Sequence, residues 1–159
     1  MATVTKTGAK RAQQFSAPYG NRTALEFSFT TNAAGVMEDS DKATAVAQAD
    51  KVRIGVIPAG FRIHDGLGIV SDAFTALTTA KVGFEYVDGV DDSDVPQDDD
   101  YFAAALTTHT AGRYRAANTG VKPVTLPKDA YLILTVAGAD HAAAGRLDYI
   151  VEGIDKGNS

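Results

Sequence analysis

The chain has 159 residues, of which 45% are hydrophobic, and a formal net charge of −5, as expected for one globular domain with its own core. The complete lack of cysteine excludes a fold stapled by disulfides, a catalytic thiol and a zinc-thiolate site. No stretch approaches the roughly 20 apolar residues of a membrane span, and no apolar segment follows the first cations, so we expect a soluble chain without a signal peptide.

The charges are unevenly distributed along the chain. The first 22 residues contain four cations and no acid, which leaves 11 basic and 20 acidic residues, a net charge of −9, for the rest. A basic arm on an acidic body is attracted to anionic partners, whereas the bodies repel one another. The residues expected to contact a partner are the arm's cations and its two aromatic side chains: Lys6, Lys10, Arg11, Phe15, Tyr19 and Arg22.

This arm has no hydrophobic periodicity, and we place its boundary at residue 22. The prediction is an extended basic N-terminal arm over residues 1–22 and a single folded domain over 23–159. A disordered tail without a role is the alternative that composition leaves open.

Alternation of apolar and polar residues predicts strands with one buried face. The clearest case is residues 23–31, where Leu25, Phe27 and Phe29 share a face. The same alternation in 51–57 and 80–89 predicts two further buried faces: Val52, Ile54 and Val56, then Val82, Phe84 and Tyr86. Later strands are predicted at 121–126, 130–138 and 146–154, with Tyr131–Val136 buried on both faces.

Turn residues separate these segments about every ten residues. About eight short strands without a long amphipathic helix predict an antiparallel β-sandwich or barrel and disfavour a parallel α/β fold. Residues 52–70 are interpreted as two strands that meet at the corner Pro58-Ala59-Gly60. We expect Arg53, Arg62 and His64 on the solvent-exposed face of these strands rather than around a ligand.

Two segments depart from the strand pattern. Residues 32–50 are rich in alanine and acids without clear periodicity, and we interpret them as a long loop. In "DDDYFAAAL" (98–106), three aspartates precede an alanine-rich run. Because an aspartate cap and negative charge favour a helix N-terminus, we predict one short helix there.

No motif in the chain carries a specific chemistry. His64, His109 and His141 lie far apart in sequence and have no metal-ligand spacing, and the loop-like context of each predicts a solvated side chain. There is no serine elbow and no glycine-rich phosphate loop, and a basic triplet at 113–115 would face the repelling field of an acidic body. We therefore predict no catalytic, cofactor-binding or metal residue, no cofactor, no nucleic-acid or membrane partner, and no enzymatic activity.

The segment from Asp88 to Asp100 contains seven aspartates in 13 residues. Hard cations such as calcium bind carboxylate oxygens, but this spacing lacks the glycine and closing glutamate of an EF-hand loop. A solvated acidic loop is the favoured interpretation, and calcium binding stays open.

From about residue 50 onward the chain resembles small structural proteins from the head-gene region of tailed bacteriophages. The resemblance is carried by "ADKVRIGVIPAGFRIHDGLGIVSDAF", the strand "KVGFEYVDG", the segment "DYFAAALTTHTAGR" and the closing strands "VTLPKDAYLILTVAGADHAAAGRLDYIVEGI". It covers residues 50–154, whereas residues 1–49 match no pattern of these proteins.

The resemblance implies a capsid decoration, or cement, protein: an antiparallel β-sandwich of jelly-roll type on the outer surface of the phage head, made in the host cytoplasm. Such proteins bridge neighbouring major capsid proteins, commonly as homotrimers at threefold or quasi-threefold positions, by means of an extended arm. Alternatives are another virion component, such as a head-fibre base, tail or receptor-binding module, or an unrelated carbohydrate-binding or calcium-binding module.

Overall fold

The computed structural model describes residues 2–6, 22–118 and 122–155. Within these ranges the chain forms ten strands: β1 (Thr3–Thr5), β2 (Arg22–Thr31), β3 (Lys51–Ile57), β4 (Phe61–Asp72), β5 (Thr79–Tyr86), β6 (Asp98–Thr107), β7 (Gly112–Arg115), β8 (Val124–Thr125), β9 (Ala130–Ala137) and β10 (Gly145–Asp155). The described ranges contain no helix that could span a membrane.

The strands lie in two sheets. The first sheet has the order β1-β3-β9-β5-β6, and the second has the order β2-β10-β4-β7, with β8 also paired to β4. Every pair is antiparallel except β1 with β3, which is parallel. The inner faces of both sheets contribute to one hydrophobic core. The predicted all-β class is therefore confirmed, and the two-sheet arrangement is consistent with a β-sandwich rather than a barrel.

The alternation identified in the sequence sets the buried faces of β2 and β5. Leu25, Phe27 and Phe29 are all buried in the core, as predicted. The predicted inner residues of β5 are buried as well: Val82, Phe84 and Tyr86. Burying one such side chain contributes about 1.5–3 kcal/mol, so these faces fix the register of both strands.

In β3 the strict alternation is interrupted by a bulge. The pairing of β3 with β9 shifts between Arg53 and Gly55. After the shift, a Cβ on Gly55 would lie 2.2 Å from the Phe27 ring, so Gly55 occupies an inward position. Val56 is buried but lies outside the core cluster that contains Ile54 and Ile57. The prediction that Val56 shares the face of Ile54 was wrong, because a bulge adds one residue and reverses the alternation.

The short helix predicted at 98–106 is also wrong, since these residues form most of β6. Tyr101, Phe102 and Leu106 are buried in the core, and β6 pairs with β5 with two register shifts. At Gly83 of β5 an added Cβ would lie 2.0 Å from the Asp98 carbonyl oxygen, so glycine allows β6 to approach this closely. Burial of the aromatic residues in the sheet outweighs the helix propensity of the alanine run.

The region between β2 and β3 contains no strand or helix, which confirms the predicted long loop at 32–50. The loop nevertheless packs closely on the body, since it buries Met37 and Val46 in the core. The predicted corner at Pro58-Ala59-Gly60 joins β3 to β4. Gly60 has a φ of +79°, a conformation that glycine adopts without strain.

Candidate interaction surfaces

The first described residues are part of the sandwich. In β1, Val4 is completely buried. The strand pairs with β3, with Thr3 opposite Lys51 and Thr5 opposite Arg53. The Lys51 amide donates a hydrogen bond to the Ala2 carbonyl at 3.1 Å. The chain start therefore adds an edge strand to its own first sheet.

Lys6 links the edges of the two sheets. Its Nζ donates to the Ser28 Oγ at 3.0 Å and to the Ser28 carbonyl at 3.4 Å, across to β2 of the second sheet. Its backbone amide donates to the Arg53 carbonyl at 3.3 Å. This ammonium group already has a partner within the chain, so its main role in the described structure is to join two strands.

Arg22 begins β2 and is the other predicted contact residue within the described ranges. Its guanidinium lies 3.0 Å from the Glu152 carboxylate of β10, while 78% of the Arg22 side chain is exposed. An ion pair this exposed contributes little stability. Arg22 therefore remains accessible. The other four predicted contact residues lie outside the described residues: Lys10, Arg11, Phe15 and Tyr19.

A buried carboxylate holds the chain start in place. Asp50, just before β3, is 3% exposed and accepts hydrogen bonds from the Ala2 amide at 2.9 Å and the Ala47 amide at 3.0 Å. It also forms an ion pair with Lys42. Burial by itself raises the pKa of Asp50, but the hydrogen bonds from Lys42, Ala47 and Ala2 outweigh it and lower the pKa.

We expect Asp50→Asn to lower the free energy of unfolding by about 2 kcal/mol, because an amide places a donor among donors and removes the charge paired with Lys42. Asp39→Asn, an exposed substitution in the same loop, is the matched control. Urea unfolding at pH 7 measures both. Equal stability of the two variants would contradict the anchoring role of Asp50.

The outer face of the first sheet carries a compact charged cluster. The carboxylate of Glu85 on β5 lies 2.6 Å from the Lys51 Nζ and 2.6 Å from the Arg53 Nε, both on β3. The Arg53 guanidinium also lies 4.6 Å from the centre of the Tyr131 ring. Burial raises the pKa of Glu85, but the hydrogen bonds from Lys51 and Arg53 outweigh this effect, so the net shift of the pKa is downward. With two cations and one carboxylate, the cluster keeps a net positive charge on this face of the first sheet.

The acidic segment between β5 and β6 is folded by its own side chains. The Asp91 carboxylate accepts hydrogen bonds from the Asp92 and Gln97 amides, at 2.9 and 2.8 Å. The Asp92 carboxylate accepts another from the Val95 amide at 3.0 Å. Lys128 approaches from the neighbouring loop, 2.9 Å from the Asp88 carboxylate. These contacts are typical of a structured acidic turn.

At the end of this segment, Asp98, Asp99 and Asp100 form the only group of three potential metal ligands among the described residues. Asp99 is already paired with Lys81 at 3.2 Å. The hydrogen bond with Asp98, then burial, raises the pKa of Asp100. Nothing else at this cluster points to a cation.

Beside the acidic segment lies a cleft of about 410 Å³. Its apolar surface comes from Phe84, Val95 and Tyr101, and polar groups at its lining include Asp94 and Lys122.

The three histidines lie in different environments. His64 is exposed on β4, and the His109 Nδ1 lies 2.8 Å from the Thr78 carbonyl. His141 is 2% exposed and lies against the Phe29 and Phe74 rings. The sequence context of His141 predicted a solvated side chain, and that prediction was wrong: the β9–β10 loop turns its ring into the core.

Leu77 is a surface feature that the sequence analysis missed. It lies in the connection from β4 to β5 and is 72% exposed. A signal was present, because residues 73–78 read "AFTALT" and contain no glycine, proline, asparagine or aspartate, the usual turn residues.

No protein-family model matches the chain, and no curated protein sequence matches it. Among solved structures, the fold is similar to that of a chain described as "Capsid of Ralstonia phage GP4", with a TM-score of 0.66 and 17% sequence identity. The match covers 99% of this chain and 100% of that chain. The two chains therefore share one fold over their whole length.

Proposed function

We propose that this chain is a structural, non-enzymatic protein of a bacteriophage virion, and more specifically a decoration protein on the outer surface of the head. One observation carries the proposal. Over nearly the full length of both chains, this protein has the same fold as a chain from a phage capsid structure. The sequence resemblance of residues 50–154 to phage decoration proteins supports the same role independently of that comparison.

The strand order supports a jelly roll. Apart from β1 and β8, the strands form two four-stranded sheets, β3-β9-β5-β6 and β2-β10-β4-β7. Eight strands divided between two sheets, with connections that cross repeatedly from one sheet to the other, are typical of jelly-roll capsid domains. This architecture provides a rigid body for a particle under internal pressure.

The basic arm supplies the proposed contact with the shell. Lys10, Arg11, Phe15 and Tyr19 fall between Lys6 and Arg22, which contact Ser28 and Glu152 of the body. In the proposed role these side chains bind acidic and apolar groups of major capsid proteins. Copies of the chain associate as homotrimers at threefold or quasi-threefold positions. Many weak contacts repeated by symmetry bridge the shell.

The position and copy number of the chain test this function. We expect electron microscopy of the virion that contains it to show hundreds of copies on the outer surface of the head. A handful of copies at a vertex or tail would overturn the decoration role in favour of another virion component, and absence from the particle would overturn the virion role altogether.

The contribution of the arm is tested with Lys10→Gln combined with Arg11→Gln. We expect this variant to bind heads stripped of the protein at least tenfold more weakly, with a reduced salt dependence, because two charges facing the shell are lost. Arg113→Gln combined with Lys122→Gln removes the same charge from exposed positions of the body. Equal binding by the two double variants would contradict an arm-specific contact.

A further inference from the structure

The end of the sandwich where β5 begins presents an exposed leucine. We define the Leu77 end as the loops 73–78, 108–111 and 138–144. The Thr78 carbonyl accepts the Thr108 amide at 3.3 Å, and the Ala142 amide donates to the Thr75 Oγ1 at 2.7 Å, so the loop 73–78 contacts both of the other loops. Among the described residues, three large apolar side chains are exposed, Leu77 the most: Leu77, Val87 and Val90.

Leu77 occupies a backbone position where leucine is unfavourable. The Thr78 amide donates to the Thr75 carbonyl at 3.2 Å, which closes a four-residue turn with Leu77 third. Leu77 has a φ of +70°, whereas Ala76 is not among the residues with positive φ. That combination is the type II pattern, in which glycine or asparagine is usual at the third position. Leu77 therefore combines backbone strain with an exposed apolar side chain, a combination that marks functional sites.

The turn that carries Leu77 is held firmly. The Thr78 Oγ1 donates to the Thr75 carbonyl at 2.7 Å and accepts from the Thr108 Oγ1 at 2.9 Å. Phe74 is buried and stacks on Phe29 at 5.1 Å between ring centroids. The leucine side chain is thus presented on a rigid support, which reduces the entropy lost when a partner binds.

The Leu77 end is also nearly free of charge. Its three loops contain one acidic residue, Asp140, whose carboxylate accepts the Gln48 amide at 2.6 Å. The segment 87–97, which contains four aspartates, lies at the other end of β5. The eight residues of β5 place the two ends about 26 Å apart. This distance exceeds the Debye length of about 8 Å at physiological salt.

We infer that the Leu77 end is the surface through which copies of this chain contact one another. The net charge of −5 opposes self-association, and contact at the Leu77 end keeps the acidic segments of both copies farthest apart. An exposed, rigid leucine surrounded by alanine and threonine provides the apolar centre of such an interface. The inference rests on the self-association in the proposed function and assigns it a surface.

The test uses the purified full chain, so its outcome does not depend on a shell. We expect sedimentation equilibrium to show an oligomer that Leu77→Asn weakens at least tenfold in dissociation constant, without a decrease in Tm, because asparagine tolerates positive φ. Val90→Asn removes an exposed apolar side chain from the acidic segment, 61% exposed, and should leave association unchanged. Higher salt should strengthen association by screening the repulsion.

Three results would overturn the inference: a wild-type chain that stays monomeric at the highest soluble concentration, equal weakening by Val90→Asn, or undiminished association of Leu77→Asn. Should Leu77→Asn lower the Tm, Leu77→Gly replaces it, since glycine also fits the turn. The virion copy number tests the decoration role separately. Failure of the Leu77 interface can therefore be distinguished from failure of the decoration role.

Discussion

Gly35→Ala is expected to lower the free energy of unfolding by about 3 to 4 kcal/mol, combining the strain of a left-handed residue with overpacking. Gly35 has a φ of +73°, and an added Cβ would lie 2.0 Å from the His141 carbonyl oxygen and 2.8 Å from the Ala142 nitrogen. Both obstacles are backbone atoms, so no side-chain rotation relieves the clash. The 32–50 loop would have to separate from the β9–β10 loop.

The contact that this substitution breaks is extensive. The Val46 amide donates to the Gly35 carbonyl at 3.0 Å, and the His141 amide donates to the Val46 carbonyl at 2.8 Å. These bonds close the two loops over Phe29 and His141. Separation would expose that buried cluster to water.

A matched control isolates the clash from the strain. Gly89 has a φ of +70° but no atom within 4 Å of an added Cβ. Gly89→Ala should therefore cost about 1 kcal/mol, the strain alone. Urea unfolding of both variants gives the comparison. If Gly35→Ala costs no more than Gly89→Ala, the close packing of the two loops is refuted.

The sequence predicted the parts of the fold that depend on one residue type repeated at a fixed spacing. Leu25, Phe27 and Phe29 alternate without interruption, and they are buried as expected. The consecutive burial of Leu132, Ile133 and Leu134 within β9 partly confirms the expectation that this strand is buried on both faces. Hydrophobic periodicity is sufficient for such strands, because burial of apolar surface fixes which face points inward.

The errors arise where a contact between distant residues changes the local rule. The bulge between Arg53 and Gly55 brings Gly55 against the Phe27 ring of another strand, a contact that no local pattern shows. The helix expected at 98–106 was wrong because β5 and the core compete for Tyr101 and Phe102. Propensity is a weak guide wherever such tertiary contacts exist.

Sequence analysis predicted only part of the candidate interaction surfaces. Charge counting predicted a basic arm, but not that Lys6 would donate to Ser28. Leu77 lies outside the alternation of any strand, so its exposure follows from a turn geometry that the sequence signals only by what it lacks. Predictions about single surface side chains depend on the loops that support them.

The second large effect is a loss of stability at mildly acidic pH, caused by His141. Its ring lies 4.9 Å from the Phe74 centroid and 5.5 Å from the Phe29 centroid. The buried Nδ1 has no hydrogen-bond partner among the described residues. Burial lowers the pKa of His141 from 6.5 to about 4, and the nearby Asp140 opposes the shift only in part.

The direction of the pH effect follows from the difference between the pKa of His141 in the unfolded chain and in the folded chain. Between pH 6.5 and 4 the unfolded chain binds a proton at His141 that the folded chain excludes, so stability falls as the pH falls through this window. Above the unfolded pKa the contribution is constant, and below about pH 4 the loss is complete. The full loss from this group is about 3 kcal/mol.

The pH dependence of unfolding free energy separates His141 from the carboxylates that also titrate toward the lower end of this range. His141→Phe preserves the aromatic packing and removes the titrating group, so its stability should decrease less between pH 7 and pH 4 than that of the wild type, by about 3 kcal/mol. His64→Gln, at an exposed position of β4, should retain the wild-type slope. If His141→Phe and His64→Gln show the same slope, the buried ring does not hold a neutral histidine, and the acid sensitivity belongs to the carboxylates.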